Sequence, residues 1–418
     1  MSFNLMSLFN QYKKTYQEGK TLPQNFYTDE NIFSEEMKSV YFQQWLMVDH
    51  VSRIKEPGNY FVFEAEKESI IIIRGRDNKI RAFYNVCTHR GSRICLDEEG
   101  SKNLLVCPYH AWSFSSEGKL KAARHMPDDF VKEDYGLKKC HLKIFEGLIF
   151  INLSMDTPMD FDEFIAPLKE IISFHNTGKS KIVSRKKYPT KANFKLVLEN
   201  FQECYHCSNA HPEFSAVHEK DWVYTMGAGL GTAPEKDTEI FKKISPWLED
   251  CKKKGIPSET YLETEDGLKQ GLNRYVDRTP IGNGHLSQTK SGKPASKLMG
   301  KFKDFDGGLS QVSFNPFSCC YFTNDFGVMF VFKPNSTLES EVELIWLVNE
   351  DAKEGADFNV DDITFIWDVT TQEDTMIIEN NQKGLLSQSF TPGVLSENES
   401  AVTYFYNWYF TNMQLPSS

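Results

Sequence analysis

Two short motifs, Cys87-x-His89 and Cys107-x2-His110, restrict the possible folds more than any other feature of this sequence. Each motif combines one thiol with one imidazole. Loop-forming residues accompany both, Arg90-Gly91 after the first motif and Pro108 within the second. Two thiolates and two imidazoles on paired loops suit a [2Fe–2S] centre in which histidines replace two cysteines on one iron. The sequence therefore predicts a small β-rich domain that holds an iron–sulfur cluster.

A structural zinc site is the alternative interpretation of these four ligands. Zinc sites with two cysteines and two histidines usually carry both cysteines first and both histidines on a following helix. Here each motif has one cysteine followed by one histidine, and neither motif has the composition of a helix. The order of the ligands therefore favours iron–sulfur, and a colourless zinc scaffold is the less favoured alternative.

The composition indicates a globular protein that is long enough for two domains. The chain has 418 residues, of which 40% are hydrophobic and 13% aromatic, and its formal net charge is −11. This charge argues against nucleic-acid binding. We find no secretory signal and no apolar stretch that could span a membrane. The 9 cysteines form no regular framework, so we expect a cytoplasmic protein with two thiols on iron and the other thiols free.

Apolar periodicity divides the chain into an N-terminal helical segment (1–45), a β-rich cluster domain (46–156) and a larger α+β domain (157–418). The first segment is expected to pack on the last domain. Strands of the cluster domain are expected at 60–63, 70–74, 80–86 and 148–153, with a hairpin turn at Asp77-Asn78. In the larger domain, helices are expected at 162–174, 193–206 and 361–381, and strands at 181–191, 327–332 and 341–348, the last two joined across 334–336.

Residues 280–310 have little periodic apolar content. A long loop inside a compact domain is often a lid or the wall of a channel. A plain disordered excursion is the alternative.

A second metal site is indicated by His206 and His211, which lie where Pro212 is expected to end a helix. Two imidazoles on adjacent turns could bind one divalent ion if the second turn loosens. Glu203 precedes His206 by three residues, so the two share a helix face and the carboxylate could orient the imidazole. The alternatives are ordinary surface or core histidines, and a zinc or redox motif at Cys204-x2-Cys207.

The last predicted helix offers a third ligand. An electron-carrying cluster upstream makes non-haem iron the favoured occupant of a two-histidine site, and such iron needs a carboxylate as well. Asp374 lies in the apolar stripe of this helix, where an ionised carboxylate is costly unless it is paired or bound to metal. Asp325 is the second choice. Three other carboxylates lie off the stripe and are expected to be solvated: Asp361, Asp362 and Asp368.

Together these motifs resemble the catalytic α-subunit of the Rieske non-haem iron oxygenases over nearly the whole chain. The resemblance implies a small all-β Rieske domain and a helix-grip catalytic domain, with an antiparallel sheet flanked by helices. The implied cluster ligands are Cys87, His89, Cys107 and His110, and the implied ligands of a mononuclear Fe(II) are His206, His211 and Asp374. It further implies a ring-like homotrimer in which one subunit's cluster faces its neighbour's iron. Glu203 would then be the electron-transfer bridge, in contact with His206 and with the neighbour's cluster histidine.

Glu203 also points to one branch of this family. Ring-hydroxylating dioxygenases usually have Asp at the bridging position, whereas Glu is familiar in the branch that acts on quaternary ammonium compounds. Residues 89–95, 199–207 and 373–385 resemble that branch as well. The resemblance therefore implies O2-dependent hydroxylation of an N-methyl group, with release of formaldehyde and the demethylated amine. Glycine betaine is the first candidate substrate, with stachydrine, carnitine and choline as others, and aromatic-ring hydroxylation is the alternative reaction.

Electrons would come from NAD(P)H through a separate flavin and ferredoxin-type reductase, since the chain has no dinucleotide-binding motif such as G-x-G-x-x-G. A trimethylammonium group would lie against aromatic faces. The candidates are Trp222, Tyr224, Phe390 and the aromatic residues of 314–322. A protein that only transfers electrons is the alternative from another class, and it would lack the mononuclear iron.

Overall fold

The computed structural model describes residues 2–219 and 239–414. Within these ranges the strands form two seven-stranded sheets and a three-stranded sheet, and paired strands run antiparallel. One large sheet and the small one belong to the cluster domain, and the other large sheet is flanked by helices. The predicted α+β class, with a small all-β domain beside a larger mixed domain, is confirmed.

The cluster domain contains the first ten strands. The strands β1–β10 are Leu46–His50, Asn59–Ala65, Glu68–Arg74, Ile80–Tyr84, Glu99–Ser101, Leu105–Val106, Ser113–Phe114, Leu120–Ala122, Lys139–Phe145 and Leu148–Asn152. Their order is β1-β10-β9-β4-β3-β2-β5 in the large sheet and β6-β7-β8 in the small one. The predicted turn between β3 and β4 is present. Asn78 adopts a φ of 61° there, a conformation that asparagine tolerates well.

The catalytic sheet has the order β11-β17-β16-β15-β14-β13-β12. The strands β11–β17 are Ser180–Thr190, Tyr261–Leu262, Tyr275–Pro280, Gly308–Asn315, Ser318–Phe322, Phe326–Ser336 and Glu339–Asn349. The hairpin β16–β17 was predicted, but its turn follows Ser336, which pairs with Glu339. The predicted turn at 334–336 is therefore wrong. Pro334 lies beside a register shift, and such an irregularity lets a strand contain a residue without an N–H group.

Helices pack against this sheet. The helices α1–α12 are Ser2–Lys13, Asn25–Thr28, Glu30–Ser39, Phe161–Ile165, Lys169–His175, Phe194–Gln202, Cys207–Ala210, Pro212–Val217, Glu239–Lys253, Glu265–Lys269, Val360–Leu385 and Ser400–Asn412. The helix expected at 162–174 is divided by a 3-10 turn at Ala166–Leu168, which contains Pro167. Helix α12 was not predicted. Its residues are mostly buried and apolar, so no polar stripe reveals its period.

Successive side chains of a strand point to opposite faces of the catalytic sheet. One face packs against the cluster domain, and the other packs against helices. Phe314 on one face packs against Phe150 of the cluster domain, with ring centroids 5.0 Å apart. Tyr321 on the other face packs against Trp367 of α11, with centroids 4.7 Å apart. We call this second side the helix face. The candidate iron site lies between the helix face and the helices that cover it.

Two further carboxylates have structural roles that the sequence did not show. Asp325, the second choice as a metal ligand, accepts hydrogen bonds from Ser287 Oγ at 2.7 Å and from the backbone N–H of Ala295 at 2.6 Å. It therefore holds the irregular segment 281–307 against the sheet. Asp368 was expected to be solvated, but it pairs with Lys186 at 2.6 Å and joins α11 to β11. Whether the 281–307 segment moves stays a prediction.

A buried ion pair ties the N-terminal helices to the catalytic helices. Lys195 Nζ of α6 lies 2.7 Å from Glu36 Oε1 and 2.8 Å from Oε2, and both side chains are fully buried. The Tyr409 hydroxyl of α12 donates to the same carboxylate. Burial raises the pKa of Glu36 and lowers the pKa of Lys195. The pair therefore stabilises the fold only while both charges are present.

Replacing Lys195 by Met is expected to destabilise the protein by about 3–5 kcal/mol, because it leaves the Glu36 carboxylate buried without a cation. The measurement is the shift of the denaturant midpoint. Lys191→Met, at an exposed position of the same segment, is the control. The double variant Lys195→Met, Glu36→Gln should recover part of the lost stability. Equal stability of Lys195→Met and Lys191→Met would contradict the expectation.

Candidate active site

The two cluster motifs form loops of matching shape. In the first loop the backbone N–H of Gly91 donates to the Cys87 carbonyl oxygen at 2.9 Å, and in the second Ala111 donates to Cys107 at 3.0 Å. Gly91 and Ala111, each four residues after a cysteine, have φ values of 77° and 59°. Glycine adopts this left-handed conformation freely, whereas alanine does so at a cost. The paired loops present their cysteines and histidines toward each other.

The side chains of the two loops meet as a cluster site requires. Cys87 and Cys107 are buried, and the rings of His89 and His110 have centroids 4.8 Å apart. His110 is exposed, and its neighbour Tyr109 is 56% exposed. Two buried sulfurs beside two imidazoles nearer the surface fit a [2Fe–2S] centre with its histidine-bound iron toward solvent.

The helix that leads to the second site ends earlier than predicted. Helix α6 ends at Gln202, and Glu203 is extended, with φ −135° and ψ 163°. The Glu203 carboxylate accepts hydrogen bonds from the backbone N–H groups of Tyr205 and His206. Such side-chain bonds compete with helical ones. The predicted shared helix face of Glu203 and His206 is therefore wrong, and their contact is made by this turn instead.

His206, His211 and Asp374 converge on one point. Asp374 Oδ1 lies 3.3 Å from His206 Nε2 and 3.0 Å from His211 Nε2. Asp374 and His211 are buried, and His206 is partly buried. The site thus joins the turn after α6, the end of α7 and the middle of α11. Two imidazoles and one carboxylate, with space for further ligands, are the donors that non-haem Fe(II) prefers.

Two glutamates orient the imidazoles. Glu203 Oε1 accepts from His206 Nδ1 at 2.6 Å, and Glu373 Oε2 accepts from His211 Nδ1 at 2.9 Å. With one proton held on each Nδ1, Nε2 is the nitrogen that would bind a metal, in place of the proton that it shares with Asp374. Asn200 Nδ2 donates to Asp374 Oδ1 at 2.7 Å and holds that carboxylate in place. The residues present therefore fit a mononuclear iron.

The electrostatics of the three residues favour an ionised carboxylate and protonated imidazoles, so metal binding would release protons. Burial alone would lower the pKa of His206, but its hydrogen bonds to Asp374 and Glu203 outweigh burial and raise the pKa to about 9. Burial would likewise raise the pKa of Asp374, but the two histidines lower it. Asp374 is thus held as a carboxylate, the form that binds metal.

Cys204 and Cys207 form a disulfide. The expectation that all cysteines outside the cluster are free is therefore wrong for this pair. The early end of α6 brings their Cα atoms to 4.9 Å, within the range of a disulfide. Cys207 Sγ lies 3.9 Å from His206 Nε2 and completes a possible ligand group with the two histidines. A disulfide sulfur is not a thiolate, so Asp374 is the better third ligand.

Aromatic residues line the helix face beside the site. Trp367 contacts Tyr321, Phe330 and Phe214. Its Nε1–H donates to Gln288 Oε1 at 2.7 Å, which places the 281–307 segment at the wall of the site. Gln288 in turn donates to His218 Nε2. Burial lowers the pKa of His218 to about 4 and keeps it a neutral acceptor.

The aromatic residues predicted to contact a trimethylammonium group lie in different parts of the structure. Of the aromatic residues in 314–322, Tyr321 faces the site, whereas the others pack in the core: Phe314, Phe317 and Phe322. Phe390 packs against the core and is partly buried. Trp222 and Tyr224 lie outside the described residues.

Several residues of the site were given no role from the sequence. Glu373 has a local signal, because a carboxylate next to a metal ligand is a natural partner for a histidine. Asn200, Gln288 and His218 have no such signal, since their contacts join residues far apart in the chain.

The fold and the two sites define an oxidoreductase that couples an iron–sulfur cluster to a mononuclear iron. Residues 44–144 match the Rieske [2Fe–2S] domain, and residues 178–415 match the catalytic domain of the ring hydroxylating alpha subunit. The chain belongs to this family of Rieske oxygenases. The two domains imply a Rieske cluster and a mononuclear iron as cofactors.

Similar proteins include the oxygenase subunits of two monooxygenases. The chain is 36% identical over 397 residues to the glycine betaine monooxygenase oxygenase subunit of Pseudomonas aeruginosa, covering 94% of this chain and 89% of that protein. It is 37% identical over 214 residues to the carnitine monooxygenase oxygenase subunit of Escherichia coli, covering 50% and 57%. A solved quaternary ammonium Rieske monooxygenase in complex with an inhibitor has the same fold, with a TM-score of 0.71, 22% identity and coverage of 95% and 96%.

The described ranges contain no helix that combines the length and the apolar character needed to cross a membrane.

Proposed function

We propose that this protein is the oxygenase component of a system that hydroxylates an N-methyl group of a small quaternary ammonium compound, with glycine betaine as the first candidate. The observation that carries the proposal is the similarity to glycine betaine monooxygenase oxygenase subunits over nearly the full chain. The match to carnitine monooxygenase subunits covers about half of the chain, so carnitine ranks second.

The reaction consumes one O2, two electrons and two protons. One oxygen atom becomes water, and the other is inserted into a C–H bond of the N-methyl group. The N-hydroxymethyl cation then loses its hydroxyl proton as the C–N bond breaks, the electron pair stays on nitrogen, and the products are formaldehyde and the tertiary amine. A quaternary nitrogen has no lone pair to oxidise, so attack on the C–H bond is the available chemistry.

The residues of the site have separate tasks in this reaction. His206, His211 and Asp374 would hold the iron, which supplies the activation of O2 when bound. Glu203 and Glu373 orient the imidazoles, and Asn200 holds the carboxylate of Asp374. Trp367 and Tyr321 provide an aromatic wall for an N-methylated cation.

Electrons would reach the iron between subunits, through Glu203. In support, Tyr205 beside Glu203 is 50% exposed, and Tyr109 beside His110 is 56% exposed. Both ends of the path therefore lie at the surface of one chain and could meet in a homotrimer. A separate flavin and ferredoxin-type reductase would supply electrons from NAD(P)H. Sedimentation analysis tests the trimer independently of activity.

Turnover with a panel of substrates tests the proposed function. Protein purified without oxygen is assayed for iron and acid-labile sulfide, then supplied with a Rieske-oxygenase reductase, NADH and O2. Glycine betaine, stachydrine, carnitine, choline and benzoate are compared, with formaldehyde as the readout. We expect formaldehyde from glycine betaine in proportion to the O2 consumed. Hydroxylated benzoate without formaldehyde would support the aromatic-ring alternative, and absence of mononuclear iron would support a protein that only transfers electrons.

A further inference from the structure

One carboxylate on the helix face has no role in the site described so far. Asp277 of β13 pairs in register with Gln311 of β14, and Gln311 pairs with Tyr321 of β15. Residues paired across neighbouring antiparallel strands project from the same face. Because Tyr321 contacts Trp367 of α11, the three side chains form a polar row on the helix face.

The polar row lies beside the candidate iron site. Trp367 and Asp374 are seven residues apart on α11, so they lie on the same side of the helix, two turns apart. Burial raises the pKa of Tyr321, and the negative charges of Asp277 and Asp374 raise it further. Cys319 contributes to this rise as well, and the geometric link between the polar row and the iron ligands is the contact of Tyr321 with Trp367 on the Asp374 side of α11.

The charge of Asp277 is only partly offset within the protein, by the backbone N–H of Gln311 and by the more distant charge of Arg278, both of which lower its pKa. No lysine, arginine or histidine in the described ranges lies within ion-pair distance of its carboxylate, which accepts a hydrogen bond from the Tyr275 hydroxyl at 2.9 Å. The adjacent Arg278 projects from the opposite face and pairs with Asp306 at 2.7 Å. Burial raises the pKa of Asp277 to about 6. A buried carboxylate without a cation is costly, so a cation that enters the site would gain from it.

Asp277 and Tyr321 are only partly buried. They lie deep in the protein, yet each retains accessible surface. Both side chains therefore keep some surface for a contact. Phe330 packs against Tyr321 and Trp367, with centroids 5.5 and 5.0 Å apart, and extends the aromatic surface beside them.

We propose that Asp277, Tyr321 and Trp367 form the subsite for the cationic head of the substrate, with Asp277 as its counter-ion. The assignment rests on the proposed function, and it names the residue that makes the site select a positive charge. A trimethylammonium group has no N–H to donate, so it is recognised by a negative field and by aromatic faces. A neutral aromatic substrate would leave the Asp277 charge uncompensated. The substrate carboxylate is expected to point away from Asp277.

The test compares ligands that have the same shape but different charge. Glycine betaine and 3,3-dimethylbutyrate differ in having nitrogen or carbon at the branched centre, and tetramethylammonium supplies the cationic head alone. Binding to the iron-loaded, full-length protein is measured by calorimetry for wild type, Asp277→Asn and Asp277→Glu. Asp304→Asn, at an exposed position, is the matched control. Iron content and thermal unfolding are recorded for every variant.

In Asp277→Asn we expect the Kd of glycine betaine and of tetramethylammonium to rise at least about tenfold. The Kd of 3,3-dimethylbutyrate should stay equal or fall, because a like charge has been removed. Asp277→Glu should recover part of the affinity for cations. In turnover assays of Asp277→Asn, the KM for glycine betaine should rise by a larger factor than kcat falls. These results would support the counter-ion role, since a merely structural defect would weaken the three ligands alike.

Two outcomes would overturn the assignment while leaving the proposed function intact. One is unchanged affinity of Asp277→Asn for the cations, and the other is an equal loss for all three ligands. A different outcome concerns the proposed function itself. If wild-type protein with both metal sites filled binds no ammonium compound, the proposed function fails and the subsite assignment fails with it.

Discussion

Replacing Asp374 by Ala is expected to remove the mononuclear iron and to leave the Rieske cluster in place. Asp374 Oδ1 faces both imidazole Nε2 atoms, and no other carboxylate oxygen in the described ranges is recorded in contact with either. Loss of a group that merely orients a metal ligand costs about 10–100-fold in affinity or activity. Loss of the ligand itself should therefore reduce product formation by more than about 100-fold.

Metal analysis and absorption spectra check this expectation separately from activity. The iron content per chain should fall by the amount bound at the mononuclear site. Acid-labile sulfide and the visible absorption spectrum of the cluster should stay unchanged. Asp368→Asn is the control on the same helix, because that carboxylate contacts Lys186 and Tyr188 outside the site. If Asp374→Ala keeps its full iron content and its turnover, Asp374 is not a ligand.

Replacing Glu203 by Gln is expected to reduce turnover by about 100-fold or more, although both metal sites still fill. One oxygen of Glu203 accepts from His206 Nδ1, and the other faces backbone N–H groups. An amide offers only one oxygen acceptor, and its NH2 group cannot accept from a second imidazole. The variant can thus keep the orientation of His206, but it would lose the negative charge of the bridge that we propose to the neighbour's cluster histidine.

Single-turnover measurements locate the defect. A variant that has been fully reduced and mixed with O2 and substrate should show slow reoxidation of its cluster, as followed by its visible absorption. Glu373→Gln provides the comparison, because Glu373 orients His211 in the same way but lies off the proposed electron path. Equal rates of cluster reoxidation in Glu203→Gln and wild type would remove Glu203 from that path.

The roles predicted for Glu203 and Asp374 rest on different kinds of sequence signal. The cluster motifs and the pair His206 and His211 are short segments, in which the types of side chain and their spacing already indicate the chemistry. Glu203 is predicted as a bridge for the same reason, although its contact with His206 is made by a turn and not by a helix. Asp374 is predicted as a ligand by a different argument, as a charge on an apolar stripe, and both roles stay predictions.

The sequence by itself determined the class of the two metal sites, the α+β fold and the hairpins, because these depend on neighbours in the chain and on the period of apolar residues. Tertiary structure decided which distant groups meet at the site. Glu373 turns toward His211, Gln288 reaches Trp367, and Asp277 comes into line with Tyr321. Strand order and register determine such contacts. A pattern of alternating residues shows that a side chain faces the interior, but it does not show which strand or helix lies opposite.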